Sequence, residues 1–175
     1  GREAVSLVKD SLAYGARIVG GVTPGRKGAN VHGVPVYDCV REIVQQTRVD
    51  ASILAVPVAF LRDAAFEAID AGVRLVLIVT ERLPRKDVAQ ILEFARMKGT
   101  RVIGPNSMGL ISPGKSKLGS VGGPPEDTWK AFVPGPVGVL SRSGGMTTEL
   151  ANLLTQNGLG QSTAVSVGGD PILGS

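Results

Sequence analysis

Leu75-Val76-Leu77-Ile78-Val79, then Thr80-Glu81-Arg82-Leu83-Pro84, then Val88, Ile91, Leu92 and Ala95, then Gly99 and Arg101-Val102-Ile103 form the stretch that decides the fold. Five consecutive apolar residues, β-branched or leucine, predict a strand covered on both faces. The apolar residues that follow recur at three- and four-residue steps, the period of a helix with one buried face. Pro84 stands where such a helix starts and Gly99 where a left-handed cap ends it. A second short β-branched run then begins. Strand, helix and strand in that order predict a parallel crossover unit.

The same alternation extends outward. Further strands are predicted at Ala16-Arg17-Ile18-Val19-Gly20, Ala51-Ser52-Ile53-Leu54-Ala55-Val56, Val137-Gly138-Val139-Leu140 and Ala164-Val165-Ser166-Val167. Further helical stripes fall at Val40, Ile43, Val44; at Leu61, Ala65, Ala68, Ile69; and at Met146, Leu150, Leu153, Leu154. Gly72 and Gly158 sit past two of these ends. The fold class predicted is α/β, a parallel doubly wound sheet. Residues 1–111 make a first domain whose initial strand is missing. The stretch 112–136, rich in Gly and Pro without a sustained period, reads as a linker. Residues 137–175 open a second domain with only two strands and one helix, so the chain is expected to continue past Ser175.

Composition narrows the function classes. The chain has 175 residues, 43% apolar and 19% charged, with 24 Gly, 11 Pro and a net charge of +4. Aromatics are only 4% and no basic run occurs, which argues against a nucleic-acid partner. The apolar runs are too short for a membrane-spanning helix. One cysteine, Cys39, excludes an internal disulfide and predicts a buried small hydrophobe in a helix. His32 is the only histidine and lies in a Gly-flanked loop, which predicts a surface position. No metal-ligand cluster is present, and a cytoplasmic setting is the default.

In an open parallel sheet, ligands bind where strands lead into helices. Gly20-Gly21-Val22-Thr23-Pro24-Gly25-Arg26-Lys27-Gly28 offers glycines for a close phosphate approach, with Arg26 and Lys27 as charge. A solvated turn with two surface cations fits that spacing equally. After the next strands come Val56-Pro57 and Val79-Thr80-Glu81; the Thr-Glu pair suits a ribose or an adenine edge, or the start of a helix. Gly104-Pro105-Asn106-Ser107-Met108-Gly109 follows, a turn with two polar side chains. The strongest feature is Ser141-Arg142-Ser143-Gly144-Gly145-Met146-Thr147-Thr148, where a strand ends and a helix opens on glycines and hydroxyls. Free amides there suit an anion; an ordinary N-terminal cap is the other reading. No Gly-Lys-Ser/Thr follows, so it is not a Walker A loop.

Taken in order, Val19-Gly20-Gly21-Val22-Thr23-Pro24-Gly25, Gly33-Val34-Pro35-Val36, Ala68-Ile69-Asp70-Ala71-Gly72, Thr80-Glu81, Ile103-Gly104-Pro105-Asn106, Ile111-Ser112-Pro113-Gly114, Ser141-Arg142-Ser143-Gly144 and Gly168-Gly169-Asp170-Pro171 resemble the α subunits of succinyl-CoA synthetases. The stretch Ser141–Met146 is similar to the citrate-cleaving branch of these acyl-CoA ligases, the ATP-citrate lyases. The resemblance implies a Rossmann-like CoA-binding domain followed by the start of a flavodoxin-like ligase domain. It also implies a β-type ATP-grasp partner holding ATP or GTP with Mg2+, and a small di- or tricarboxylic acid substrate. Phosphate would pass through a phosphohistidine to an acyl phosphate, which the CoA thiol attacks. By position, coenzyme A falls to Gly1, Arg2, Glu3, Arg26, Lys27, Pro57, Val79, Thr80, Glu81 and Asn106. Acid and phosphate fall to Ser107, Ser143, Gly144, Gly145 and Thr148. The phosphohistidine is expected beyond Ser175, so no catalytic group is expected in this chain and no turnover by it alone. Thr148 replaces a substrate-contacting tyrosine, and Ser107-Met108 replaces a Cys-Pro pair, which implies a changed acid pocket. The compartment implied is cytoplasm, or the mitochondrial matrix in a eukaryote. The alternative function is a stand-alone CoA- or dinucleotide-binding regulatory module without catalysis.

Overall fold

The computed structural model describes residues 2–174, with side chains from residue 4 onward. Helix α1 (Arg2–Ala13) is followed by β1 (Gly21–Val22), β2 (Asn30–Val31), β3 (Val34–Tyr37), α2 (Val40–Val44), β4 (Ala51–Leu54), α3 (Val58–Asp70), β5 (Leu75–Ile78), α4 (Arg85–Lys98) and β6 (Arg101–Ile103). Then come β7 (Gly109–Ser112), β8 (Ser116–Gly119), α5 (Pro125–Ala131), β9 (Pro134–Ser141), α6 (Gly144–Gln156) and β10 (Gln161–Ser166).

The predicted crossover unit is present. β4, β5 and β6 form a parallel sheet with Leu75 opposite both Ala51 and Arg101. Leu61, Ala65, Ala68 and Ile69 of α3 and Val88, Ile91 and Ala95 of α4 are buried against Leu54, Val76, Ile78 and Val102. Each full burial of a leucine or isoleucine stabilises by about 1.5–3 kcal/mol, so this face holds the sheet to its helices. Gly72, Gly99 and Gly158 all take positive φ, at 84°, 72° and 76°, as the end signals require.

The first predicted strand is displaced. Residues 16–20 carry no ladder, and β1 begins at Gly21, parallel to β3, with Gly21 opposite Val36. β2 and β3 form an antiparallel hairpin whose turn holds the exposed His32 at φ 52°. Cys39 is half-buried at the N-cap of α2 rather than inside a helix, because the short α2 starts one residue later.

The stretch 112–136 is not a linker in its secondary structure. It carries β8 and α5, and β8 joins a sheet ordered β8-β7-β10-β9. The second sheet therefore has four strands, not two, and only β9 and β10 run parallel. The sequence pattern is broken there because a charged residue points inward. Lys117 on β8 is 1% exposed, and its Nζ donates to Gly123 O (2.6 Å) and to Thr128 Oγ1 (3.1 Å). The Gly-Pro run folds around that ammonium. Tyr14 of α1 stacks on Trp129 of α5 with ring centroids 4.3 Å apart, and Tyr14, Phe132, Val121, Ile111, Val139, Ala151 and Ala164 form the second core.

The expected stripe of α6 is corrected in part, since of its four residues only Leu154 packs against the second core. Thr147 and Ala151 face the sheet, while Met146, Leu150 and Leu153 are 52%, 40% and 57% exposed. Polar anchors set this rotation: Gln161 Nε2 donates to Ala151 O at 2.9 Å, and Thr155 Oγ1 donates to Ala131 O at 2.8 Å. Small residues on the inner face then let the helix lie close to Ala164. Among the described residues no helix is long and apolar enough to cross a membrane.

Burial pushes the Lys117 ammonium below its ordinary value near 10.5, with Asp10 pulling partly the other way. In the window between the lowered folded value and 10.5, the unfolded chain holds a proton that the folded chain has released, so stability rises with pH. Lys117→Met removes that slope. Paired urea unfolding curves from neutral pH to about pH 10 should show the wild type gaining on Lys117→Met as pH rises. Parallel curves would show that the ammonium is not buried.

Candidate functional site

Three strand ends meet on one rim. Thr80 follows β5, and its Oγ1 donates to Val56 O, beyond β4, at 2.8 Å. Asn106 N, in the turn after β6, donates to Thr80 O at 3.0 Å, and Ser107 N donates to Ile78 O at 3.3 Å. Pro57, Val79, Thr80, Glu81 and Asn106 are thus gathered by the main chain. Thr80 and Glu81 do not start α4, whose N-cap is Pro84 without a side-chain bond. The Thr80 hydroxyl holds β4 to β5, leaving the exposed Glu81 carboxylate and the exposed Asn106 amide to face outward. Glu81 lies 3.7 Å from exposed Arg82 Nε, a contact worth little in solvent.

Ser107 departs from expectation. It is 2% exposed, and its Oγ donates to Ser166 O at 2.5 Å while accepting from Gly109 N at 2.9 Å. Both functions of the hydroxyl are engaged within the fold, so it joins β6 to β10 instead of facing a ligand.

The loop after β1 is also differently used. Asp38 Oδ1 accepts from Gly25 N (2.8 Å) and Lys27 N (3.3 Å), so the amides expected to cradle a phosphate already hold a carboxylate. Lys27 Nζ lies 2.9 Å from Glu42 Oε1; that hydrogen bond and the Glu42 charge raise its pKa. Arg26 is exposed and, among the described residues, pairs with no carboxylate. The loop therefore offers one free guanidinium. No hydrogen bond or ion pair among the described residues links it to the strand-end rim. Asp38 was missed because its partners lie 11 and 13 residues away, though an Asp just past a strand is itself a turn signal. Gly1 lies outside the described residues, as do the side chains of Arg2 and Glu3.

At the start of α6, Ser143 caps the helix by accepting from Met146 N at 3.3 Å. Thr147 Oγ1 donates back to Ser143 O at 2.9 Å, and Thr148 Oγ1 to Gly144 O at 3.5 Å. The cap reading holds here. A cap satisfies one of the first amides, and those of Gly144 and Gly145 have no acceptor among the described residues. Met108 brings the two halves together: a Cβ built on Gly144 would lie 2.0 Å from Met108 Sδ, so the thioether rests on the first turn of α6. Two surface recesses lie elsewhere. A groove of about 600 Å3 lies between α3 and α4, and one of about 220 Å3 beside Cys39. No expected site residue lines either of them.

Three comparisons bear on this arrangement. The CoA binding domain family matches residues 1–82. Succinate–CoA ligase (ADP-forming) subunit alpha 1 of Archaeoglobus fulgidus is 48% identical over 166 residues, which cover 95% of this chain and 55% of that protein. Malate–CoA ligase subunit alpha of Methylorubrum extorquens is 44% identical over 171 residues, with 95% and 56% covered. A structure of ATP citrate lyase from Methanothrix soehngenii in complex with citrate and coenzyme A superposes with a TM-score of 0.75 at 27% identity, over 81% of this chain and 24% of that one. The chain spans about half the length of the curated relatives it matches.

The Met108 contact is testable by a double-mutant cycle. Gly144→Ala must displace the thioether, the far end of a flexible, 39% exposed side chain, and should cost about 1 kcal/mol in urea unfolding. Met108→Ala in the same chain should recover most of that loss. Additive losses would show that the two residues do not touch.

Proposed function

From homology to succinate–CoA ligase α subunits, with a CoA-binding domain at residues 1–82, we propose that this chain is the CoA-binding part of an acid–thiol ligase. Residues 1–111 carry coenzyme A, and the body built on β9, α6 and β10 begins the ligase domain. Val79, Thr80 and Glu81 hold the nucleotide end, with Pro57 beside them. Arg26 meets a phosphate, and Asn106 lies near the thiol. Ser143, Gly144, Gly145 and Thr148 receive the phosphate or carboxylate of a di- or tricarboxylic acid. The nucleoside triphosphate and Mg2+ belong to a β-type ATP-grasp partner. A phosphohistidine carries the phosphoryl group to the acid, and the thiol then displaces phosphate from the acyl phosphate to form the thioester.

The observation that supports this most is the pairing of outward-facing polar groups with a fixed scaffold. Glu81, Asn106 and Arg26 are exposed, while Thr80 and Ser107 tie the strand ends beneath them. Two open amides at α6 add a place for negative charge to settle. Ser107 acts in this reading as scaffold, not as a contact to the acid.

Coenzyme A should stabilise the chain by mass action, by about 2.7 kcal/mol at a hundredfold excess over Kd, and so raise its melting temperature, whereas NAD should not. Stabilisation by NAD alone would remove the proposal. Calorimetry should further show Arg26→Ala weakening CoA several-fold more than Lys27→Ala, because Lys27 is already held by Glu42. Equal losses would move the phosphate contact off Arg26. For the complete subunit with its partner, the expected readout is ADP or GDP formation that requires both CoA and the acid.

A further inference from the structure

Arg142 has no assigned part in the reading above, yet it holds three carbonyls of one loop. We infer that Arg142 is a positioning residue for the thiol end of coenzyme A, acting through the loop after β10; this rests on the proposed placement of that end at Asn106.

The loop at 167–174 is gripped from two sides. On one side is the turn after β6: Gly104 N donates to Val167 O (2.9 Å), Gly169 N to Asn106 O (3.1 Å) and Gly174 N to Gly104 O (2.9 Å). On the other side is the Arg142 guanidinium. Its Nη2 donates to Asp170 O at 2.7 Å and to Gly169 O at 3.5 Å, and its Nε donates to Gly168 O at 3.4 Å. A planar fork of donors over convergent carbonyls is a geometry that only arginine supplies. Among the described residues no carboxylate pairs with it, so its charge is directed to these main-chain dipoles.

The loop cannot slide without carrying Asn106 with it. A Cβ on Gly168 would fall 2.3 Å from Pro105 O, and one on Gly169 would fall 3.0 Å from Asn106 Nδ2. Asn106 itself sits at φ 56°, a conformation unfavourable to most side chains, and its side-chain amide makes no hydrogen bond among the described residues. Its main chain is held on one side by Thr80 O and on the other by the loop that Arg142 pins. The next residue after Arg142 is Ser143, the cap of α6. One side chain thus ties the phosphate-facing helix start to the turn that faces the thiol.

The test uses two probes and calorimetry on the chain. Coenzyme A reaches the turn at Asn106; adenosine 3′,5′-bisphosphate carries the nucleotide end without the pantetheine arm. Arg142→Ala should weaken CoA about five- to tenfold and leave the bisphosphate within about twofold. Guanidinium ion added well below denaturing concentration should recover part of the CoA affinity. Gly169→Ala, which presses Asn106 from the same loop and leaves Arg142 intact, should give the same selective loss and serves if Arg142→Ala does not fold. Equal losses for both probes, unchanged CoA binding, or no recovery with guanidinium would overturn the inference while leaving the CoA reading in place. A wild type that binds neither probe would remove the reading, and the inference with it.

Discussion

Main chain lies directly on main chain where β6 and β10 end, and the rest of the molecule depends on that contact. Gly168 and Gly174 stand where a Cβ would overlap the backbone oxygens of Pro105 and Val102, at 2.3 and 2.2 Å, and Gly104 packs as closely on Ile78 O of β5, at 2.3 Å. With no side chain between them, the two stretches exchange hydrogen bonds as closely as strands in a sheet. Each such bond contributes about 1 kcal/mol net, but leaving its buried donor unpaired costs more. The two sheets are therefore joined at their carboxyl ends, which is where an open parallel sheet presents its ligand. Ser107, bridging Ser166 O and Gly109 N, closes the same seam from within.

The polar residues around that seam divide by what their donors and acceptors already do. Thr80, Ser107 and Thr147 are satisfied by the main chain and hold geometry. Arg26, Glu81 and Asn106 are exposed, and no main-chain group among the described residues engages their side chains. Lys27 lies between these classes, exposed but held by Glu42. Exposed groups arranged this way rest on a scaffold that need not reorganise were a ligand to meet them.

Legibility in the sequence followed whether a signal was local. The β4-α3-β5-α4-β6 unit was readable because each helix buries the face its period marks: Leu61, Ala65, Ala68 and Ile69 are all 1% exposed or less. For α6 the same period marked an apolar stripe correctly but not its surroundings, since Gln161 and Thr155 rotate the helix to put Ala151 inside. Periodicity reveals that an apolar face exists, not what covers it. The run at 112–136 reads as a linker from its Gly and Pro content, and β8 and α5 within it become intelligible only once the carbonyl and hydroxyl partners of the inward Lys117 are known. The candidate site was readable as a set of strand-end motifs. The engagement of the 25 and 27 amides by Asp38, and of Ser107 by Ser166, depended on residues far away in sequence.

Lys117 also makes the fold its own witness. An amine sealed beneath a helix is hidden from acylating reagents that reach Lys9, Lys86 or Lys130 freely. Its modification therefore reports how often α5 lifts from β8, and not how nucleophilic lysines are in general. Acylation at this residue would keep a record of every excursion from the closed form.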